Sequence, residues 1–329
     1  MKIFKVIMLV VVLLCLAFFV QATDWQLAAR SLHNFGYRFL YLILISGFAY
    51  LLATIGWKFC LGEDGKKVKL TDLFIIRHLG EMLSIINPAS VIGGEAFKVY
   101  LLQQKGLENA KIIASVLVSR VLMAVTQLLL FFVTLFIVGI PGNKFFINPS
   151  TLQRPDWKVM LLLISFSMIL LYFIFSKRPK QKLRQNKTLA FLDKKLNIRH
   201  IISEFKLFFQ KDKKAVFFSA LFFTLHWIAG SMEIYFILKV LGVNTSITSV
   251  LFVDMGIIIF KSAGAFVPGQ IGVEEFGNKV MLDLIGVSDM DIWFTLSVLR
   301  RCRQLFWILF GLAIYLLYYK KIKAIPGTT

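Results

Sequence analysis

The chain has 329 residues, of which 58% are hydrophobic and 15% aromatic, and its mean hydropathy is +0.74. The apolar excess falls in long runs, which excludes a soluble globular domain and points to an all-α polytopic membrane protein. The formal charge is +20, but the basic residues sit between apolar spans rather than on one soluble face, so nucleic acid is not an expected partner. Cys15, Cys60 and Cys302 form no C-x-x-C and the four histidines are dispersed, so no disulfide framework, metal or other cofactor is expected.

A spanning helix needs about 20 mainly apolar residues. In chain order the runs meeting this are 4–22, 37–57, 112–139, 158–175, 215–241 and 292–318. Trp25, Trp57, Trp157 and Trp293 fall near their ends, where an interfacial aromatic belt would place them. The first run has a second reading as a signal peptide, since Lys2 and Lys5 precede it and Val20-Gln21-Ala22 has the form of a cleavage site.

Two more apolar segments, 71–105 and 249–286, contain Pro, Gly and several charges. We read each as a re-entrant helical hairpin, helix, break, helix, entering and leaving on one side. Freed backbone groups are tolerated at membrane depth only where protein or a water-filled cavity surrounds them, so the hairpins are expected to face each other. The hairpins share a motif: Asn87 to Phe97 reads NPASVIGGEAF and Val267 to Phe276 reads VPGQIGVEEF. Pro88 and Pro268 lie 180 positions apart, as do Arg120 and Arg300, while Ile92, Gly93, Glu95 and Phe97 match Ile271, Gly272, Glu274 and Phe276 at an offset of 179. Duplicated interrupted segments of this kind point to a transporter-type site near the bilayer midplane.

Orientation follows from Lys and Arg. Segment 177–214 carries thirteen of them against three acids, which places it, and with it both termini, in the cytoplasm. The first hairpin then enters from the cytoplasm and the second from outside, so the chain is expected to be one membrane domain built as an inverted repeat, about 1–140 and 158–319. Within the basic segment, Ile198, Ile201, Ile202, Phe205, Phe208 and Phe209 recur at helical spacing with Arg199, Lys206 and Lys211 off the stripe. That pattern suits a helix lying on the anionic inner leaflet, or a linker helix packed on the bundle.

Arg120 and Arg300 each sit eight residues into a span, about 12 Å deep at ~1.5 Å per residue. An arginine at that depth needs a partner and should face the protein interior. Glu95 and Glu274 start the helices after each break, and either pairing with Arg120 and Arg300 would fix the hairpins. Alternatively the arginines and the helix N-termini after Gly93-Gly94 and Gly272 form a polar site for a phosphate-bearing group. Glu95, Glu274 and Glu275 would oppose a simple anion, so a zwitterionic or amine-bearing head group fits better. The candidate substrate-binding set is Pro88, Gly93, Gly94, Glu95, Lys98, Arg120, Pro268, Gly269, Gly272, Glu274, Glu275 and Arg300. Arg301 and Arg303 extend the cluster. His78, Glu81, Asp254 and Lys261, with Glu233, are candidate proton-relay groups.

The run Pro88-x-x-x-x-Gly93-Gly94-Glu95-x-x-Lys98-x-Tyr100 followed by Arg120, and Pro268-Gly269-x-Ile271-Gly272-x-x-Glu275 followed by Arg300, resemble the flippase-like transmembrane region of lysylphosphatidylglycerol synthases and their stand-alone relatives. The resemblance covers nearly the whole chain. It implies a bacterial inner-membrane protein that moves a lipid or lipid-linked head group between leaflets, with aminoacylated phosphatidylglycerol the best-defined cargo of the group. Glycolipid, hopanoid and polyprenyl-linked pathways are linked to other members. The longest polar stretch, 177–214, is too short for a soluble aminoacyl-transfer domain, so synthase activity is not carried over.

The expected function is therefore a non-enzymatic lipid translocator with membrane lipids as partners. The alternatives are a secondary transporter of a small anionic solute and a scaffold for an envelope-biosynthesis enzyme. A membrane-surface enzyme is disfavoured because no H-E-x-x-H or G-x-S-x-G constellation is present, and no G-x-x-x-x-G-K-[ST] supports ATP drive.

Overall fold

The computed structural model describes residues 25–86, 90–139, 165, 198–264, 267, 270 and 272–323. The expected spans 4–22 and 158–175, most of the basic segment, and Pro88, Pro268 and Gly269 lie outside them. Among the described residues the fold is ten α-helices with short 3-10 turns and no strand. These are α1 (Trp25–Phe35), α2 (Phe39–Cys60), α3 (Leu70–Ile86), α4 (Ser90–Gln103), α5 (Asn109–Gly139), α6 (Ile198–Lys211), α7 (Lys213–Val240), α8 (Ile247–Ala263), α9 (Val273–Leu284) and α10 (Met290–Lys323).

Ala29–Cys60, Asn109–Val138 and Lys213–Val240 are long and apolar enough to cross a membrane. The helix α10 is 34 residues long but carries Arg300, Arg301 and Arg303 in its first half. The outer faces are apolar: Leu44 and Phe48 on α2, Leu129 and Phe136 on α5, Phe217 and Leu221 on α7, and Leu309 and Leu317 on α10 are all exposed. An apolar surface of that extent suits contact with lipid.

Each interrupted segment is a pair of packed helices, α3 with α4 and α8 with α9. Helix starts are capped where the sequence supplies the residue: Asp212 Oδ1 accepts from Ala215 N at 3.0 Å before α7, and Ser246 Oγ accepts from Ser249 N at 3.0 Å before α8. Gly272 begins α9 at φ 81°, a conformation a side chain disfavours. Its N–H donates to Glu275 Oε2 at 2.7 Å, closing the backbone at the turn.

The helix contacts form corresponding sets. The helix after the first hairpin, α5, packs on α4 and on α8 of the other pair; the helix after the second, α10, packs on α9 and on α3. The preceding helices α2 and α7 form the most extensive contact in the molecule, and α1 on α10 has its counterpart in α6 on α5.

Two apolar cores lie at opposite ends of the four long helices. One joins Leu42, Leu128, Phe131, Ile234 and Leu299 with the α8–α9 pair. The other joins Ala53, Trp57, Ile112, Leu122, Phe223 and Ile308 with the α3–α4 pair. Along α2, α5, α7 and α10 the stretch between the two cores is where polar side chains gather.

The apolar stripe of α6 is turned onto the bundle: Ile201 is buried and Phe205, Phe208 and Phe209 pack against the second core, while Ile202 stays exposed. At its start, His200 Nε2 lies 2.7 Å from Glu108 Oε1, just ahead of α5. This hydrogen bond, helped by Lys111, holds the Glu108 carboxyl below its usual range. Because the folded value is depressed, the contact supports the fold above the ordinary glutamate pKa and is lost as pH falls through the lower folded value. Protection of α6 amides against hydrogen exchange, corrected for the intrinsic exchange rate, should therefore hold down to the ordinary glutamate pKa and drop below it, and Glu108→Gln should remove most of that dependence. An unchanged pH profile in the variant would rule the contact out as its source.

Candidate functional site

A cavity of about 370 Å³ opens in the interval between the two cores. It is lined by Ser46, Ala49 and Tyr50 of α2, by Arg77, His78, Glu81 and Ser84 of α3, and by Arg120 and Met123 of α5. The second half supplies His226, Trp227 and Glu233 of α7, Asp254 and Lys261 of α8, and Arg300, Arg303, Gln304 and Trp307 of α10.

On the α3–α4 side one carboxylate cluster serves two cations. Lys98 Nζ donates to Glu81 Oε1 at 2.7 Å and to Glu95 Oε1 at 3.0 Å. Arg120 Nε donates to Glu95 Oε1 at 2.6 Å, and its Nη2 donates to Glu81 Oε1 at 2.9 Å. The cluster forms because α3 and α4 approach at Gly80 and Gly94, where neither helix carries a side chain at the crossing.

The α8–α9 side is built alike but with different residues. Arg300 Nη2 lies 3.2 Å from Asp254 Oδ1 and its Nε 3.2 Å from Glu274 Oε1. Lys261 Nζ and Gln304 Nε2 donate to Glu274 Oε2 at 3.0 and 2.8 Å, and Ser231 Oγ donates to Asp254 Oδ2 at 2.9 Å. Arg301 pairs with Glu275. Arg303 Nε sits 2.8 Å from Glu233 Oε1, and its Nη1 donates to Tyr50 Oη at 3.2 Å, tying α10 to α7 and α2.

Neutral hydrogen bonds tie the halves together around the cavity. Trp307 Nε1 donates to Ser46 Oγ at 2.8 Å, and Trp227 Nε1 to the Met123 carbonyl at 3.1 Å. The carbonyls of Trp307 and Ala49 can only accept, so His78 presents Nε2–H to the first at 2.9 Å and His226 presents Nδ1–H to the second at 2.8 Å. The other ring nitrogen of each histidine is left as an acceptor.

Of the residues singled out from sequence, Arg120, Arg300, Arg303, His78, Glu81, Glu233, Asp254 and Lys261 are brought together on the cavity wall. Glu95, Lys98 and Glu274 stand behind it as ion-pair partners, and Glu275 is spent on Gly272 and Arg301. Gly93, Gly94 and Gly272 do not line the cavity, and the expected helix start after Gly93-Gly94 is not found: α4 already begins at Ser90, so Gly93, Gly94 and Glu95 lie within it, whereas α9 does begin directly after Gly272. Pro88, Pro268 and Gly269 fall outside the described residues. The sequence left the glutamate–arginine pairing open; it runs within each half, Glu95 with Arg120 and Glu274 with Arg300. Tyr50, His226, Trp227, Gln304 and Trp307 escaped the sequence reading, although a polar or amphipathic side chain at the centre of an apolar span was the available signal.

Helices of spanning length, an apolar outer surface and a charged cavity between two apolar cores together define a helical membrane protein. The chain belongs to the family described as the lysylphosphatidylglycerol synthase TM region, which matches residues 5–318. No curated protein and no solved structure matches it.

Proposed function

We propose that the protein is a lipid translocator of the bacterial inner membrane, in which the cavity receives a head group while the acyl chains stay in lipid. The observation that carries this reading is the position of the cavity: a charged chamber lined by both interrupted segments and lying between two apolar cores, in a member of this family. A head group held there is screened from the hydrocarbon, where an isolated charge is costly.

The corresponding helix contacts support an inverted repeat, with α1 to α5 related to α6 to α10 and the hairpins entering from opposite faces. On this reading the basic segment and both termini are cytoplasmic, α6 adds a positive surface toward the anionic leaflet, and no catalytic step is involved. Arg120 is the cavity arginine whose side chain is most open, at 35% exposure against 8% for Arg300, and we assign it to contact cargo during passage.

The test is leaflet accessibility of phosphatidylglycerol and lysylphosphatidylglycerol in proteoliposomes holding native protein or Arg120→Ala. Native protein should speed exchange of at least one lipid, and the variant should lose tenfold or more of that rate. No acceleration of either lipid by folded native protein would overturn the assignment.

A further inference from the structure

The cavity has positive charge to spare and no negative charge to spare. Its three acids are all committed: Glu81 to Lys98 and Arg120, Glu233 to Arg303, and Asp254 to Arg300 and Ser231. Arg77 is the exception among the cations. It lies on the cavity wall only 6% exposed, with its guanidinium over the Tyr50 ring at 5.6 Å, and makes no side-chain hydrogen bond or ion pair with any described residue. Glu81, one turn further along α3, is already shared by two other cations. Across the cavity, Arg300 Nη1 is buried without a hydrogen-bond partner.

Resting on the reading of the cavity as a head-group chamber, we propose that Arg77 is its anion anchor. The cargo is then a phosphate-bearing group with net negative charge rather than one carrying an added amine. A guanidinium offers two parallel N–H donors to phosphate oxygens, the strong bidentate geometry of charge-assisted hydrogen bonding. A buried cation without an ion-pair partner of its own, balanced only by the Tyr50 ring and by a Glu81 carboxylate shared with Lys98 and Arg120, destabilises the empty protein, so the site is built at the expense of the unliganded fold and is relieved by the ligand. An amine would meet only carboxylates already held by cations, and would face the free guanidinium as a like charge.

The inference is tested by thermal unfolding of the detergent-purified full chain, titrated with dioctanoyl phosphatidylglycerol, dioctanoyl phosphatidylethanolamine, dioctanoylglycerol and glycerol phosphate. In the native protein phosphatidylglycerol should raise the midpoint at lower concentration than phosphatidylethanolamine, and dioctanoylglycerol should do nothing specific. Arg77→Gln should raise the midpoint of the empty protein and weaken phosphatidylglycerol binding about tenfold to a hundredfold, with Arg77→Lys in between. Glycerol phosphate binding as tightly as the lipid would assign the same anion site to a soluble phosphate compound.

A lowered midpoint in empty Arg77→Gln would make Arg77 a structural prop, and unchanged affinity in that variant would remove it from the site. Equal binding of the two phospholipids by the native protein would overturn the charge assignment. Binding as expected, in a protein that fails to accelerate lipid exchange, would keep the anion site and remove the translocator reading.

Discussion

Arg300→Ala is expected to destabilise the protein by about 3–5 kcal/mol, the range for removing one partner of a buried ion pair, whereas Arg120→Ala should cost a small fraction of that. The difference lies in burial and in what is left behind. Arg300 is 8% exposed and touches Asp254 and Glu274, which are 6% and 5% exposed. Without it, Asp254 keeps only the Ser231 hydroxyl and has no cation beside it, while Glu274 retains Lys261 and Gln304. Arg120 is 35% exposed, and its two glutamates both retain Lys98. Solvent screening reduces its contribution further.

The experiment is thermal unfolding followed by a thiol-reactive fluorophore that labels Cys60 and Cys302, both free and buried, as they become exposed. A large drop in midpoint for Arg300→Ala beside a small one for Arg120→Ala is the expected pattern; equal drops would show that the burial argument fails. In practical terms Arg120 can be tested for transport in a folded protein, whereas loss of transport in Arg300→Ala would not separate function from folding.

The second large effect is at the crossing of α3 and α4. A Cβ at Gly94 would be driven into Ser84 Oγ and the backbone carbonyl of Gly80, and one at Gly80 would meet the Lys98 side chain. A backbone carbonyl in a helix cannot swing aside, so Gly94→Ala must push the two helices apart. Overpacking of this kind costs about 1–3 kcal/mol, and here it also draws Lys98 away from Glu81.

Gly256→Ala on α8 is the control. Its Cβ would meet the Sδ and Cε atoms of Met281, the far end of a flexible thioether that yields more readily than a backbone carbonyl, so the expected cost is smaller than at Gly94. Lipid exchange and unfolding midpoint measured on both variants would decide the matter. Gly94→Ala should lose both, Gly256→Ala neither, and a tolerated Gly94→Ala would refute the close approach.

Much of the fold was legible because membrane insertion writes itself into composition. Runs 37–57, 112–139, 215–241 and 292–318 correspond to α2, α5, α7 and α10 with ends shifted by a few residues, since a helix can continue past the apolar run that predicts it. The interrupted segments became the pairs α3–α4 and α8–α9 because proline removes a backbone donor and disfavours a helix interior, whereas glycine alone does not decide a break: Gly80, Gly94 and Gly256 all lie inside helices. The stripe on α6 was also legible, but not what it covers: a hydrophobic face suits a leaflet and a protein core equally well, and the structure turns it onto α5 and α7.

The sequence by itself determined that this is a membrane protein, that two broken helical segments interrupt it, and that charged side chains stand at depth, because each of these is a local departure from an apolar background. Only the tertiary structure decided which charges meet. Whether Glu95 reaches Arg120 or Arg300, whether Glu275 faces the cavity or its own helix start, and whether Arg77 has a partner all depend on how helices are rotated and how closely they cross. Those are set by contacts such as Gly80 against Gly94, two residues 14 positions apart in sequence whose close approach brings the neighbouring Glu81 and Glu95 to the same cations. The cavity itself arises in the same way: Tyr50, Arg77, His226 and Arg303 come from four helices, and only packing places them on one wall.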